Sequence, residues 1–400
     1  MNIGFVLPGA AISGGIYVVF EHATRIKHSY NCQVFIITEA VVTPDEHAWH
    51  SEAASLTWLT FKEAKLIKFD IVIATFWRTV YALPQFDANH YAYFVQSIES
   101  KFYPEEDPYV IRWVDSTYSF CLKTITEAFW IKSYLEENYK NSPFLVKNGI
   151  RKDLYTTSGT AIAPRQKGKL RVLVEGPLDI NFKNVAKTLK LCKDSDADEV
   201  WLLTSTITQD TDLADRVFSK VSIDRVPEIY RSCDVIVKLS YVEGMFGPPL
   251  EMFHCGGTAI VYNVTGHEEY IIDKNNALVI DKDDEVGVIS AINHLKHTPD
   301  YLELLKQNAI ATASKWPDWQ YSANEFYQVL VKINQLVPDN RNQLKALSNQ
   351  IQQWVELVQL KNQIIQAKEL FIQNILILRN SKLFKLLRYF KQQLHKLFSK

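Results

Sequence analysis

Residues 240–269 read SYVEGMFGPPLEMFHCGGTAIVYNVTGHEE, and the fold is decided by how this stretch is read. The run before it, Asp234 to Ser240 (DVIVKLS), is apolar and predicts a buried strand. Gly244, Gly247, Pro248 and Pro249 then punctuate a loop. From Pro249, LEMFHCG suits a helix, because proline is tolerated in a first turn and Gly256 and Gly257 supply the stop. Thr258 to Tyr262 (TAIVY) is strand-like, and Gly266 opens a turn ahead of Glu268 and Glu269. Two carboxylates, Glu243 and Glu251, thus flank one strand-to-helix turn with seven residues between them. Open α/β sheets bind ligands at such turns, outside the carboxyl ends of their strands.

The rest of the chain repeats this alternation. Ile3 to Leu7, Gln33 to Thr38, Asp70 to Thr75 and Tyr91 to Gln96 are near-continuous apolar runs with helical stretches between them. Such runs predict a parallel sheet covered on both faces. Gly14 and Gly15 lie between the first strand and an amphipathic run; read alone they are a tight turn, neither a dinucleotide fingerprint nor a phosphate loop. Glu99, in the acidic stretch SIESKFYPEED, reads as a solvated loop carboxylate. Ile125 to Lys140 has helical spacing, and residues 156–169 are small, polar and broken by Pro and Gly, as a linker would be. A second series follows, with strands at Lys169 to Gly176, Glu199 to Thr204, Asp234 to Ser240, Thr258 to Tyr262 and Asn276 to Ile280. The stretch Ile289 to Ala309 reads as helical. His254, on the central helix, reads as a structural hydrogen-bonder.

Four hundred residues with 47% hydrophobic content are enough for two or three cores. The net charge of −1 hides an asymmetry: residues 341–400 carry 11 Lys+Arg against two acids, and residues 1–340 carry 33 basic against 43 acidic residues. Five widely spaced cysteines with no C-x-x-C exclude a disulfide framework and a zinc site, and imply a reducing, cytoplasmic setting. No secretory leader and no run of about 18 apolar residues is visible.

Glu243, Gly244, Gly247, Pro249, Leu250, Glu251, Gly256 and Gly257, followed by Gly266 and Glu269, resemble the signature of the retaining family 4 glycosyltransferases, among them bacterial cell-surface polysaccharide enzymes such as rhamnosyltransferases. The resemblance implies an α/β GT-B fold, with two Rossmann-like domains facing a cleft plus a C-terminal amphipathic helical tail. The expected domains are an acceptor-side domain at 1–155, a linker at 156–169, a nucleotide-sugar-binding domain at 170–320, a crossover helix at 321–340 and a basic tail at 341–400. Lys147-Asn148-Gly149-Ile150 resembles the turn that closes the first domain.

The implied activity is retaining transfer of a hexosyl or deoxyhexosyl unit from a dTDP-, UDP- or GDP-linked donor to a surface polysaccharide or lipid-linked glycan. Glu243 and Lys183 take the catalytic roles, Glu243 beside the donor sugar and Lys183 on the diphosphate. Glu251 accepts hydrogen bonds from the ribose hydroxyls. Gly244, Met245, Phe246, Gly247, Gly14, Gly15, Gln96 and Glu269 complete the donor site, and Glu268 is an alternative to Glu269. Two positions depart from the pattern. Pro177 stands where the family has a diphosphate-binding arginine, so another cation or backbone amides must serve. Gln96-Ser97 stands where it often has a histidine. No metal and no cofactor is implied, and the departing phosphate can itself accept the acceptor's proton. The alternatives are a non-catalytic GT-B scaffold in a membrane-associated glycan assembly complex, and the same fold turned to epimerisation or phosphorolysis.

In the tail, Leu344, Ile351, Val358, Ile365 and Ile372 recur every seven residues beside a row of Leu357, Ile364, Phe371 and Leu378, a face for self-association over 344–378. Residues 381–400 contain six Lys+Arg and no acid on an amphipathic pattern, which suits an anionic membrane surface. A peripheral place on the inner face of the plasma membrane is therefore expected. No recognition module for nucleic acid accompanies the charge.

Overall fold

The structure is a computed structural model that describes residues 1–206, 212, 214–380 and 385–392. Two parallel sheets organise residues 1–345, which form one compact unit. The first comprises β1 (Asn2–Val6), β2 (Gln33–Thr38), β3 (Thr57–Thr60), β4 (Lys68–Ala74), β5 (Asp87–Val95), β6 (Lys123–Thr126) and β7 (Phe144–Leu145), in the order β3-β2-β1-β4-β5-β6-β7. The second comprises β8 (Arg171–Glu175), β9 (Glu199–Thr204), β10 (Arg216–Ser219), β11 (Val235–Lys238), β12 (Thr258–Tyr262) and β13 (Leu278–Ile280), in the order β10-β9-β8-β11-β12-β13. Central strands such as β1, β4, β11 and β12 are buried almost throughout, as strands with helices on both faces must be. In both sheets the order reverses beside the first strand of the series, so β1 and β4, and likewise β8 and β11, open a crevice at their carboxyl ends.

Two sequence expectations change. Within Ile125 to Lys140, Ile125 and Thr126 end β6, and the helix begins only at Phe129. The single helical stretch at Ile289 to Ala309 is two helices, Glu285–His297 and Pro299–Lys315, because Pro299 cannot donate the hydrogen bond that would continue the first.

The chain passes between the two sheets at Asn148–Arg151 and returns at Pro317–Trp319. These passes touch: Ile150 bridges Asp318, and the Trp316 indole donates to the Asn148 carbonyl at 2.8 Å. A Cβ on Gly149 would stand 2.3 Å from the Asp318 carbonyl carbon, so glycine is required by close approach. After the return, helix Trp319–Asn334 joins the core of the first sheet through Trp319, Phe326, Leu330 and Ile333. Its Asn324 accepts from Tyr30 at 2.6 Å, and Tyr327 stacks on Tyr30. Residues 156–169 form no helix or strand. Arg165 holds them to the second half by donating to the carbonyls of Tyr230, Cys233, Cys255 and Gly256.

Residues 346–400 are a separate unit. Its main element, helix Arg341–Asn380, is about 60 Å long at 1.5 Å per residue. Leu357, Ile364, Ile365, Phe371 and Ile372, from both expected apolar rows, are exposed. Of the segment 381–400, only 385–392 is described, as helix; 381–384 and 393–400 lie outside the described residues. Among the described residues no helix is long and apolar enough to cross a membrane.

Candidate functional site

Charged groups gather at the carboxyl ends of β8 and β11. Glu175 ends β8, Lys238 ends β11, and Glu243 follows in the loop. Lys183 reaches them from a short 3-10 turn, Asn181–Lys183. That turn is fixed from both sides: Tyr241 N–H donates to Phe182 O at 2.8 Å, and the Asn184 side chain donates to Leu239 O at 3.1 Å. Phe182 stacks on Phe102 of the first half.

Lys183 Nζ lies 2.8 Å from Glu243 Oε2, which joins the two expected catalytic residues in one ion pair. Lys238 makes the second connection. Its Nζ lies 2.5 Å from Glu175 Oε2 and 3.9 Å from Glu243 Oε1. Lys238 is only 3% exposed, and the Glu243 residue 6%. Burial would push the Glu243 carboxyl up, but the Lys183 and Lys238 ammonium groups outweigh it and hold it below the usual carboxylate range. Burial would equally push the Lys238 ammonium down, and Glu175, then Glu243, hold it above the usual lysine value. Gly176, at φ +141°, leaves room between the two lysines: a Cβ there would stand 3.7 Å from Lys238 Nζ and 3.8 Å from Lys183 Cβ. The sequence reading missed Lys238. A lysine inside the otherwise apolar DVIVKLS was the available signal.

Glu251 lies on the motif helix Gly247–His254. Burial pushes its carboxyl up to about 7; Glu175 adds to the rise, while a hydrogen bond from Tyr230 and the charge of Lys238 oppose it. Hydroxyl donors from a ligand would favour the charged form of Glu251.

Two glycines of the motif, Gly244 and Gly266, serve the seam between the two halves. A Cβ on Gly244 would collide with Gln96 O at 2.0 Å and stand 3.0 Å from Glu127 Oε1. Met245 N–H donates to that same Glu127 oxygen at 3.0 Å, and the Trp130 indole donates to Gly244 O at 2.9 Å. Glu127, absent from the sequence reading, is buried at the end of β6; burial raises its carboxyl to about 7, opposed by hydrogen bonds from Met245 and Asn148. A Cβ on Gly15 would touch the Gln96 amide at 3.4 Å, so Gly15 and Gln96 meet at the same seam. Glu269 also works across it, accepting from Phe129 N–H at 2.5 Å and pairing with Lys147 at 3.1 Å. Gly14 and Gly247 face open space. Phe246 is fully buried in the second core. Its carbonyl accepts from the Tyr270 hydroxyl.

Glu99 is not the solvated loop carboxylate its acidic surroundings suggested. It is 3% exposed and accepts from Trp77 N–H at 2.7 Å and the Tyr93 hydroxyl at 3.0 Å. Burial among aromatic rings raises its carboxyl to about 8. Burial lowers His254 to about 4, and its buried Nε2 finds no hydrogen-bond partner among the described residues, unlike the structural hydrogen-bonder expected from sequence. Among the described residues no group of three or more His, Cys, Asp or Glu could hold a metal ion.

The geometry has relatives. Residues 204–312 match the family model described as Glycosyl transferases group 1. An uncharacterized glycosyltransferase of Methanocaldococcus jannaschii is 25% identical over 207 residues, which cover 50% of this chain and 56% of that protein. The chain therefore matches little more than half the length of this relative. Among solved structures, Anabaena HepE, determined in complex with UDP and glucose, superposes with a TM-score of 0.66 at 14% identity, covering 83% of this chain and 100% of that one. WaaG, a glycosyltransferase involved in lipopolysaccharide biosynthesis, superposes with a TM-score of 0.62 at 12% identity, covering 84% and 100%. Fold and relatives define a GT-B protein of two Rossmann-like halves. The match to that family model falls in the second half, at residues 204–312.

Proposed function

We propose that this protein is a glycosyltransferase that moves a hexosyl or deoxyhexosyl unit, such as rhamnosyl, from a nucleotide-diphosphate donor to a surface polysaccharide or lipid-linked glycan, with retention and without a metal. The observation that carries this reading is the Lys183–Glu243 pair at the ends of β8 and β11, beside Gly176 and ahead of the helix that carries Glu251. Lys183 offsets the charge that develops on the departing diphosphate. Glu243, held ionised, stabilises the positive charge on the donor ring. Glu251 accepts the ribose hydroxyls. Gly14, Gly15, Gln96, Gly244, Met245, Gly247 and Glu269 shape the donor site at the seam, with Phe246 packed beneath it. Anabaena HepE, solved with UDP and glucose, makes UDP the first base to try.

The basic segment 381–400 anchors the protein to anionic lipid at the inner face of the membrane, and the apolar rows within 344–378, exposed at Leu357, Ile364, Ile365, Phe371 and Ile372, mediate self-association.

The test is thermal unfolding with UDP-, dTDP- and GDP-linked sugars. A ligand that binds only the folded state stabilises it by about 2.7 kcal/mol at one hundred times its dissociation constant. One donor raises the melting temperature, and Glu251→Ala abolishes the rise. No rise with any donor, with or without a lipid-linked acceptor, would leave a scaffold.

A further inference from the structure

The ion pairs at β8 and β11 form a chain in which one carboxylate has two cations of unequal freedom. Lys183 is 23% exposed at its side chain, sits on a loop turn and holds Glu243 Oε2 at 2.8 Å. Lys238 is 3% exposed, sits on a central strand and is anchored to the side chain of Glu175 and to its carbonyl at 3.2 Å. An ammonium has three donors. Two are thereby used, and across 3.9 Å stands Oε1 of the buried Glu243 carboxylate. A diphosphate bound beside Gly176 would compete with Glu243 for Lys183. Taking Lys183 away would strand a buried carboxylate, which then raises its pKa or destabilises the site unless another charge compensates.

We propose that Lys238 is the reserve counter-ion of Glu243: a positioning residue that keeps this carboxylate ionised when Lys183 turns to the donor's diphosphate. The departure of Lys183 rests on the donor-binding reading above; the reserve role is a property of the empty protein and can be tested without a donor. The groups facing Glu243 are Lys183 from its turn, Lys238 from β11 with Glu175 of β8 behind it, Glu127 from the first half, and Tyr270. Glu127 opposes ionisation of Glu243, so Lys238 must outweigh it once Lys183 has turned away.

Lys183→Met mimics the departed lysine. Urea unfolding is followed from pH 5 to pH 8 in Lys183→Met and in Lys183→Met/Glu243→Gln, and the difference isolates Glu243. If Lys238 takes over, the difference is flat. Adding Lys238→Met to both makes it slope: Glu243 then binds a proton in the folded state that the unfolded chain has lost, and the relative unfolding constant rises up to tenfold per pH unit. Lys238→Arg in place of Lys238→Met restores flatness, which a packing role alone would not do. Where Lys238→Met does not fold, Lys238→Met/Glu175→Gln removes the stranded partner and gives the same comparison.

A slope already present in Lys183→Met overturns the proposal, and so does a flat profile after Lys238 is removed. A failure of the donor reading shows separately, as absence of nucleotide-sugar binding by the unaltered protein.

Discussion

Gly244 lies against the backbone of Gln96 so closely that a Cβ would stand 2.0 Å from the Gln96 carbonyl oxygen. This contact joins the motif loop of the second half to the carboxyl end of β5 in the first, and Glu127 and Trp130 brace it from either side.

Gly244→Ala should therefore shift the loop or the first half by most of an ångström. Overpacking of this kind costs about 1–3 kcal/mol. Urea unfolding should show that loss, and calorimetric titration of the binding donor should show an affinity at least about tenfold weaker, since misplacement on this scale disrupts charge alignment. Wild-type affinity in the variant would mean that the seam does not set the donor site.

Removing Lys183 should hurt the diphosphate selectively. A charge-assisted hydrogen bond contributes about 1.5–3 kcal/mol, so Lys183→Met should weaken a nucleoside diphosphate by about 10- to 100-fold. The matching nucleoside should bind nearly as before. Equal losses for both would place Lys183 away from the phosphates.

Glu251 gives the empty protein a pH dependence with a definite sign. Its folded carboxyl titrates at about 7, above the unfolded value of about 4.3. Between those values the unfolded chain is ionised and the folded one protonated, so Glu251's contribution to stability falls as pH rises, by about 1.4 kcal/mol per unit at most. Glu251→Gln should remove that fall, so the variant gains on wild type from pH 5 to pH 8. A gap independent of pH would mean that Glu251 is already ionised in the empty site.

Glu99 should behave in the same direction over a wider range, since its folded carboxyl titrates at about 8. At pH 7 it is mostly protonated, and Glu99→Gln keeps an oxygen for Trp77 N–H and the Tyr93 hydroxyl. Thermal unfolding should find the variant close to wild type at pH 6 and more stable than it at pH 9. A variant equally destabilised at both pH values would show that the charged form is the native one.

The strands read most accurately from sequence were those with no competing signal. Gln33–Thr38, Glu199–Thr204 and Thr258–Tyr262 are unbroken runs of β-formers, and their limits in the structure are those of the runs. TWLT and RVFS were missed because four half-polar residues do not separate a short strand from a loop, and KTIT was missed because its last two residues were read into the following helix. At the site, Glu243 and Lys183 were legible as residue types in a motif, yet 60 positions separate them and nothing local shows that they pair. Lys238 was hidden by its apolar neighbours. Glu127 was hidden because its role exists only once Met245 is brought to it from 118 positions away. Glu99 misled because acidic sequence neighbours say nothing of the aromatic rings that enclose it.

The adjacent passes at Gly149 and Asp318 mean that the second half begins and ends at one spot. It is topologically an insertion into the first, a cassette whose two ends lie side by side. Nothing in the connectivity of the first sheet depends on what the cassette contains. The second half could therefore be exchanged between proteins of this architecture at these two joints, leaving the first half intact, provided the new half carries a glycine where the joints cross.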